Sequence, residues 1–184
     1  VAVLVVATSL WGYMLWPRDP LMQDLSSAMR PPSVEHPFGT DQLGRDVLSR
    51  VLRGAHVSLV VSLIAIGIAS IGGTTLGFVS GFFGGVFDDV IMRVIDGMMA
   101  FPGLLLALFA VTILGPGLVT AQIAVGISQM PLIARIARSA VLTEKEKLYV
   151  EAGTAVGASS MRVLTRYVAP NSLGPLVVQI SLMV

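Results

Sequence analysis

An all-α, polytopic membrane protein is the fold class this sequence predicts, on three observations. Charge is scarce: Asp, Glu, Lys and Arg make up 12% of the 184 residues, while 54% are hydrophobic. A soluble domain carries about 25% charged residues. Mean hydropathy is +0.83. Uncharged stretches at 57–87 and 97–134 exceed the roughly 20 apolar residues that cross a bilayer. The same numbers exclude other classes. A formal net charge of +1 supplies no field for nucleic acid. With no cysteine there is no disulfide, thiolate metal site or Cys nucleophile.

The first element, 1–17, is uncharged and reads as the end of a transmembrane helix. It lacks the basic start and cleavage site of a signal peptide. Trp11, Tyr13 and Trp16 near its end suit an interfacial aromatic belt, or simply pack. Next, 18–56 reads as an extracytoplasmic loop and interfacial helix. Five basic residues balance five acidic ones there: Asp19, Asp24, Glu35, Asp41 and Asp46. Pro17, Pro20, Pro31, Pro32 and Pro37 forbid a long helix before Phe38. From Asp41 onward Leu43, Val47, Leu48, Val51 and Leu52 form an apolar stripe at helical spacing. Asp41 and Asp46 invite a metal or catalytic reading. The sequence favours structural roles, with Asp41 capping the helix and Asp46 pairing with Arg50 at i, i+4.

The transmembrane domain is expected over 57–184, with spans at about 57–83, 97–114 and 118–134 and the start of another at 172. Along the first of these, Ala65, Ala69, Gly73, Gly77 and Gly81 recur every four residues. Small residues at that spacing let helix backbones approach where lipid gives no hydrophobic drive, so this face is predicted to pack on other helices. A phosphate-binding glycine loop is the poorer reading, because no Lys follows the glycines and they lie inside a span. Gly84 and Gly85 turn the chain. Val86, Phe87, Val90, Ile91, Val94 and Ile95 then mark one helical face, with Asp89 and Arg93 placed as an i, i+4 pair. This reads as an amphipathic helix start in the interface or as a gate at the membrane edge. Gly115-Pro116-Gly117 divides the next uncharged run, and Pro102 and Pro131 start or kink its two halves.

Between the last two spans lies a stretch of different character, 135–171. Six of the twelve Lys and Arg fall in it, interleaved with Glu144, Glu146 and Glu151. A loop this basic is expected on the cytoplasmic side, which by parity puts 18–53 outside. Leu148, Ala152, Ala155 and Val156 fall at helical spacing, as do Met161, Leu164 and Val168. Gly157 separates the two patterns, Ser159 or Ser160 is placed to cap the second, and Pro170 is expected to end it. The prediction is two short helices joined by a glycine turn, either docking into a groove on another protein or serving as a solvated basic linker.

Three blocks carry a resemblance. Glu151-Ala152-Gly153, three residues, Gly157, nine residues, and then Tyr167-Val168-Ala169-Pro170 resemble the EAA loop of binding-protein-dependent ABC importer permeases. Gly153 stands for its second Ala, Tyr167 for Ile and Ala169 for Leu. The segments 38–59 (FGTDQLGRDVLSRVLRGAHVSL) and 81–108 (GFFGGVFDDVIMRVIDGMMAFPGLLLAL) resemble one of the two permeases of dipeptide, oligopeptide and nickel importers, with His56 where those usually carry Arg. The resemblance implies a type I permease bundle and an internal fragment of a six-span subunit, without the start of its first span and its last two. It implies docking on ABC ATPase subunits through the coupling residues Glu151, Ala152, Gly153, Gly157, Arg162 and Pro170. It also implies a second homologous permease, an extracytoplasmic substrate-binding protein, and a bacterial or archaeal inner or plasma membrane. No catalytic, cofactor or metal residue is expected, and ATP is bound by the partners.

Two other classes compete. A secondary transporter needs ionisable groups within its spans to bind a coupling ion, and the long uncharged stretches offer none. An intramembrane enzyme needs a nucleophile and base, a carboxylate pair or a metal cluster there. His36 and His56 lie at or outside the span boundary. Asp88-Asp89 follow Gly-Gly-Val-Phe rather than the Gly-x-Gly-Asp of membrane aspartyl proteases.

Overall fold

The computed structural model describes residues 11, 12, 16 and 18–183. Most of the expected first span, Tyr13 included, lies outside the described residues. Among the described residues the helices are α1 (Val47–Phe83), α2 (Gly85–Met99), α3 (Gly103–Leu114), α4 (Leu118–Lys145), α5 (Leu148–Ala155), α6 (Ser160–Val163) and α7 (Ala169–Ser181). A 3-10 turn covers Leu25–Ser27, and a π-helical turn, Leu164–Val168, joins α6 to α7. No strand forms there beyond an isolated antiparallel bridge between Thr40 and Asp46. The helices α1 and α4 are each long and apolar enough to cross a membrane, and α2 with α3 adds a third crossing if that bent pair is one span. The chain divides into two compact units, Val1–Val61 and Ser62–Val184.

In the first unit the loop is held by polar contacts around Asp46, which is 4% exposed. Its Oδ2 accepts from the Ser49 backbone N–H at 2.8 Å, from Ser49 Oγ at 2.6 Å and from Trp16 Nε1 at 3.0 Å. His36 Nδ1 lies 2.9 Å from its Oδ1. Asp46 is therefore the residue that caps α1. Asp41 instead binds Arg45 Nε at 2.8 Å and the Arg50 guanidinium. The roles expected of the two carboxylates are exchanged. Gly44 explains this. It turns the chain at φ +71, with the Asp24 carbonyl oxygen 1.7 Å from where a Cβ would stand, and Asp46 rather than Asp41 is left one residue before the helix.

Burial works against ionising Asp46, but hydrogen bonds from Ser49, His36 and Trp16 outweigh it and hold its pKa at about 2. Burial likewise opposes ionisation of Asp41. The backbone N–H groups of Arg45 and Leu43 and the Arg45 side chain bring it also to about 2. A carboxyl depressed on folding contributes stability above its unfolded pKa of about 3.9 and loses it as pH falls through the folded value. Trp16 fluorescence in a Trp11→Phe background is expected to change between about pH 4 and pH 2, with the change diminished in Asp46→Asn. An unchanged acid profile in that variant would remove the capping role.

In the second unit α1 and α4 touch backbone to backbone. Ala65 and Ala69 are buried. A Cβ on Gly73 would stand 2.6 Å from Ile133 Cβ, one on Gly77 2.3 Å from the Ala134 carbonyl oxygen, and one on Gly81 2.9 Å from that of Arg138. Gly126 answers from α4, where a Cβ would stand 2.8 Å from the Ala65 carbonyl oxygen.

Three boundaries differ from those the sequence predicts. The interfacial helix and the span that follows are one helix, α1, because nothing between Asp46 and Phe83 breaks it. The expected span 97–114 is broken: α2 continues to Met99, and α3 leaves it at 97°. Pro102 has no N–H to give and disfavours a helical residue before it, and its own backbone is extended at φ −53, ψ 132. At about 1.5 Å per residue α3 alone reaches about 18 Å, short of a bilayer's 30 Å. The third is α4, which does not stop at Ala134 but runs to Lys145. Its buried stripe of Ile133, Ala134, Ala137 and Val141 continues past the first charges. Those charges lie on the helix's other faces: Arg138 grips Asp88 with two bonds of 2.7 and 2.6 Å, and Arg135 reaches Asp96 at 2.6 Å. The ion pairs of α2 thus run to α4, where the sequence alone paired Asp89 with Arg93.

Candidate functional site

The segment after α4 folds as a hairpin of two short helices. Lys145 closes the preceding helix and donates from Nζ to the Phe82 carbonyl at 2.8 Å, which satisfies one of the carbonyls exposed at the end of α1. Next, α5 buries Val150 and Gly153. These are three apart and so lie on one face. Val150 joins Phe82, Val141, Val163 and Val168 in an apolar cluster, with Phe78, Ala158, Leu164 and Tyr167 packed against it. The inner side of the hairpin is therefore cored into the ends of α1 and α4.

Its outer side carries Leu148, Glu151, Ala152, Ala155 and Val156, all exposed. Leu148 is 81% and Val156 83% exposed. The stripe whose spacing marks a helix face that should be buried is turned away from this chain. Arg162 and Met161 continue the exposed surface on α6.

Gly157 makes the turn. Its N–H donates to the Thr154 carbonyl at 3.0 Å, and the Ala158 N–H donates to the Gly153 carbonyl at 3.1 Å. That is the Schellman pair, which requires a left-handed residue between the two helices, and Gly157 has φ +84. Ser159 takes the capping position of α6 but makes no side-chain capping bond.

Gly153, where the family pattern has Ala, faces Tyr167. A Cβ there would stand 3.4 Å from the ring, an ordinary contact. Gly153→Ala is expected to raise the thermal stability of the purified protein by up to about 1 kcal/mol, the usual difference between Gly and Ala inside a helix. A lower melting temperature would contradict the packing at this position.

Pro170 does not end the second helix, contrary to expectation. The chain stays helical over 160–181, with Pro170 in the first turn of α7. An α-helical register would set its ring against the Arg166 carbonyl. The π turn before it avoids that by adding a residue: the Ala169 N–H reaches back five residues to the Leu164 carbonyl. The Tyr167 carbonyl in this turn accepts from Asn171 Nδ2 at 2.7 Å.

Glu144, at the end of α4, is 5% exposed. Lys147 Nζ lies 2.7 Å from its Oε2, and the Tyr149 hydroxyl donates to its Oε1. Loss of solvent and then the Glu144 carboxylate raise the Tyr149 pKa above its ordinary value. Neither Glu144 nor Tyr149 was legible as a site residue, since each reads as an ordinary member of a charged loop. Gly126 is a single glycine with no repeat to mark it. Asp88 and Arg138 are fifty positions apart in sequence, and Ser80 Oγ also donates to Asp88. The structure thus groups Glu151, Ala152, Gly153, Gly157 and Arg162 in one hairpin with Pro170 just beyond it. The ladder from Ala65 to Gly81 lies apart, on the contact between α1 and α4.

Residues 73–184, which hold the C-terminal part of α1 and every later helix, match the family of inner membrane components of binding-protein-dependent transport systems. The chain belongs to this family. Among curated relatives, the dipeptide transport system permease protein DppC of Alkalihalophilus pseudofirmus is 43% identical over 85% of this chain and 52% of its own length. The probable D,D-dipeptide transport system permease protein DdpC of Escherichia coli K12 is 38% identical over 99% of this chain and 61% of its own. The glutathione transport system permease protein GsiD of Pectobacterium atrosepticum is 36% identical over 98% of this chain and 60% of its own. The chain spans about half to three fifths of the length of these relatives. As an inner membrane component, it is a membrane-embedded helical protein, in keeping with the two long apolar helices α1 and α4.

Proposed function

We propose that this chain is a membrane-spanning permease subunit of an ATP-driven importer that moves small peptides into the cytoplasm. Three relatives named for dipeptide, D,D-dipeptide and glutathione transport support the substrate class. In this reading the protein crosses the cell membrane of a bacterium or archaeon several times. An extracytoplasmic binding protein delivers the peptide on the side of 18–53. A second homologous permease completes the path. ATP is hydrolysed on separate ABC subunits docked at the hairpin, and this chain performs no hydrolysis.

The observation that carries the docking role is the outward apolar stripe of α5 on a hairpin anchored to two helix ends. Leu148, Ala152, Ala155 and Val156 form the contact, with Glu151 and Arg162 at its charged edge. Gly153 and Gly157 shape it, and Pro170 sets the path into α7. Val150 and its cluster keep the hairpin seated on the ends of α1 and α4, where motion of an ATPase would be felt.

The test is co-purification of the assembled complex from membranes. Leu148→Asp with Val156→Asp is expected to leave insertion intact and to weaken ATPase retention about a hundredfold or more, since each buried unpaired charge costs several kcal/mol. Retention at the wild-type level would refute this docking face.

A further inference from the structure

Resting on the docking role proposed above, we infer that Tyr149 is a positioning residue. Its hydroxyl fixes the register of the hairpin against α4, so that hairpin motion becomes helix motion. Three elements meet at this one oxygen. It donates to Glu144 at the end of α4. It lies 3.3 Å from the Tyr167 carbonyl oxygen in the π turn. It is itself carried on the first turn of α5. The rings of Tyr149 and Tyr167 are 6.5 Å apart and tilted, which holds the hydroxyl where it is.

Glu144 has no other role visible in the fold. It is a nearly buried carboxylate, and both groups that bind it, Lys147 and Tyr149, come from the leading edge of the hairpin. The remaining attachment of α5 is apolar, through Val150 and the cluster around it. Apolar contact is non-directional, so a helix held by it alone can slide or rotate under load. A hydrogen bond weakens steeply with angle and resists that movement. The contacts to Glu144 are therefore the part of the attachment suited to transmitting a push, with the hydroxyl the one carried on α5 itself, and the cluster is the part suited to keeping the hairpin folded.

The test uses the full complex reconstituted in vesicles, with radiolabelled di- and tripeptides as the transported probe. ATP hydrolysis stimulated by the loaded binding protein is measured alongside uptake. Tyr149→Phe keeps the ring and its packing. It is expected to assemble and hydrolyse ATP as the wild type does, while peptide moved per ATP falls about fivefold or more, the low end for a coupling free energy of ordinary size. Glu144→Leu removes the acceptor without touching α5 and is expected to lower the same ratio. Glu144→Gln, which still accepts from the hydroxyl, restores most of it. A wild-type ratio in both Tyr149→Phe and Glu144→Leu overturns the inference. So does a parallel loss of hydrolysis and uptake at constant ratio, the result expected when the shape of the hairpin itself is lost. A wild-type complex with no ATP-driven uptake would instead overturn the permease reading, and this inference with it.

Discussion

Gly77→Leu is expected to prevent assembly of the helix bundle. A Cβ at this position would lie 2.3 Å from the Ala134 carbonyl oxygen, 2.5 Å from Ala137 Cβ and 2.9 Å from the Arg138 backbone nitrogen. Two of those three atoms belong to backbone, which cannot rotate aside as a flexible side chain would. Extra carbon in a filled interior costs typically 1–3 kcal/mol and occasionally more. With four added carbons against an unyielding helix, about 3 kcal/mol or more is the reasonable expectation. Gly77→Ala is expected to fall between the two. The measurement is the yield of monodisperse protein after detergent extraction, followed by its melting temperature. Wild-type yield and stability in the Leu variant would mean that this face meets lipid and that the close approach of α1 to α4 is wrong.

Gly157→Val is expected to separate folding from transport. Nothing lies within 4 Å of where its Cβ would stand, so the cost is conformational. A left-handed residue with a side chain costs roughly 1–2 kcal/mol, and a β-branched one is at the unfavourable end. That is enough to break the Schellman pair and reorient α5, and too little to unfold α1 or α4. The variant is expected to insert and extract normally while losing most binding-protein-stimulated ATP hydrolysis and uptake. Gly157→Asn, which tolerates the left-handed region, should retain much of both. Normal stimulation in the Val variant would show that the turn plays no part in coupling.

The helical class, the glycine turn and the small-residue ladder were legible because each leaves a local mark. Five small residues four apart state a close approach, whichever helix receives it. Gly157 between two helical patterns states a turn. What was not legible depended on partners distant in sequence. Arg135 and Arg138 read as the start of a loop because the composition changes there. In the structure they are spokes of a helix whose buried side, Ala134, Ala137 and Val141, remains apolar. Pro170 read as a terminator because the simplest helix cannot pass a proline, and only the added residue at 164–168 lets it. Asp41 and Asp46 exchanged roles because the turn at Gly44 decides which carboxylate meets the helix start. The α5 stripe was read correctly as one face, but periodicity does not say whether the surface that covers a face belongs to the same chain.

The unbroken length of α4 has a mechanical meaning. Its 28 residues make a rod about 42 Å long, attached to the hairpin at one end and resting along the glycines of α1 over its middle. A rod of that length is a lever. A tilt of about 5° about the Lys145 end carries the Leu118 end about 4 Å, roughly the width of an extended peptide backbone spacing in a sheet. In the coupling role proposed above, a small rotation at the hairpin would be magnified at the Leu118 end, less whatever bend α4 takes at Pro131.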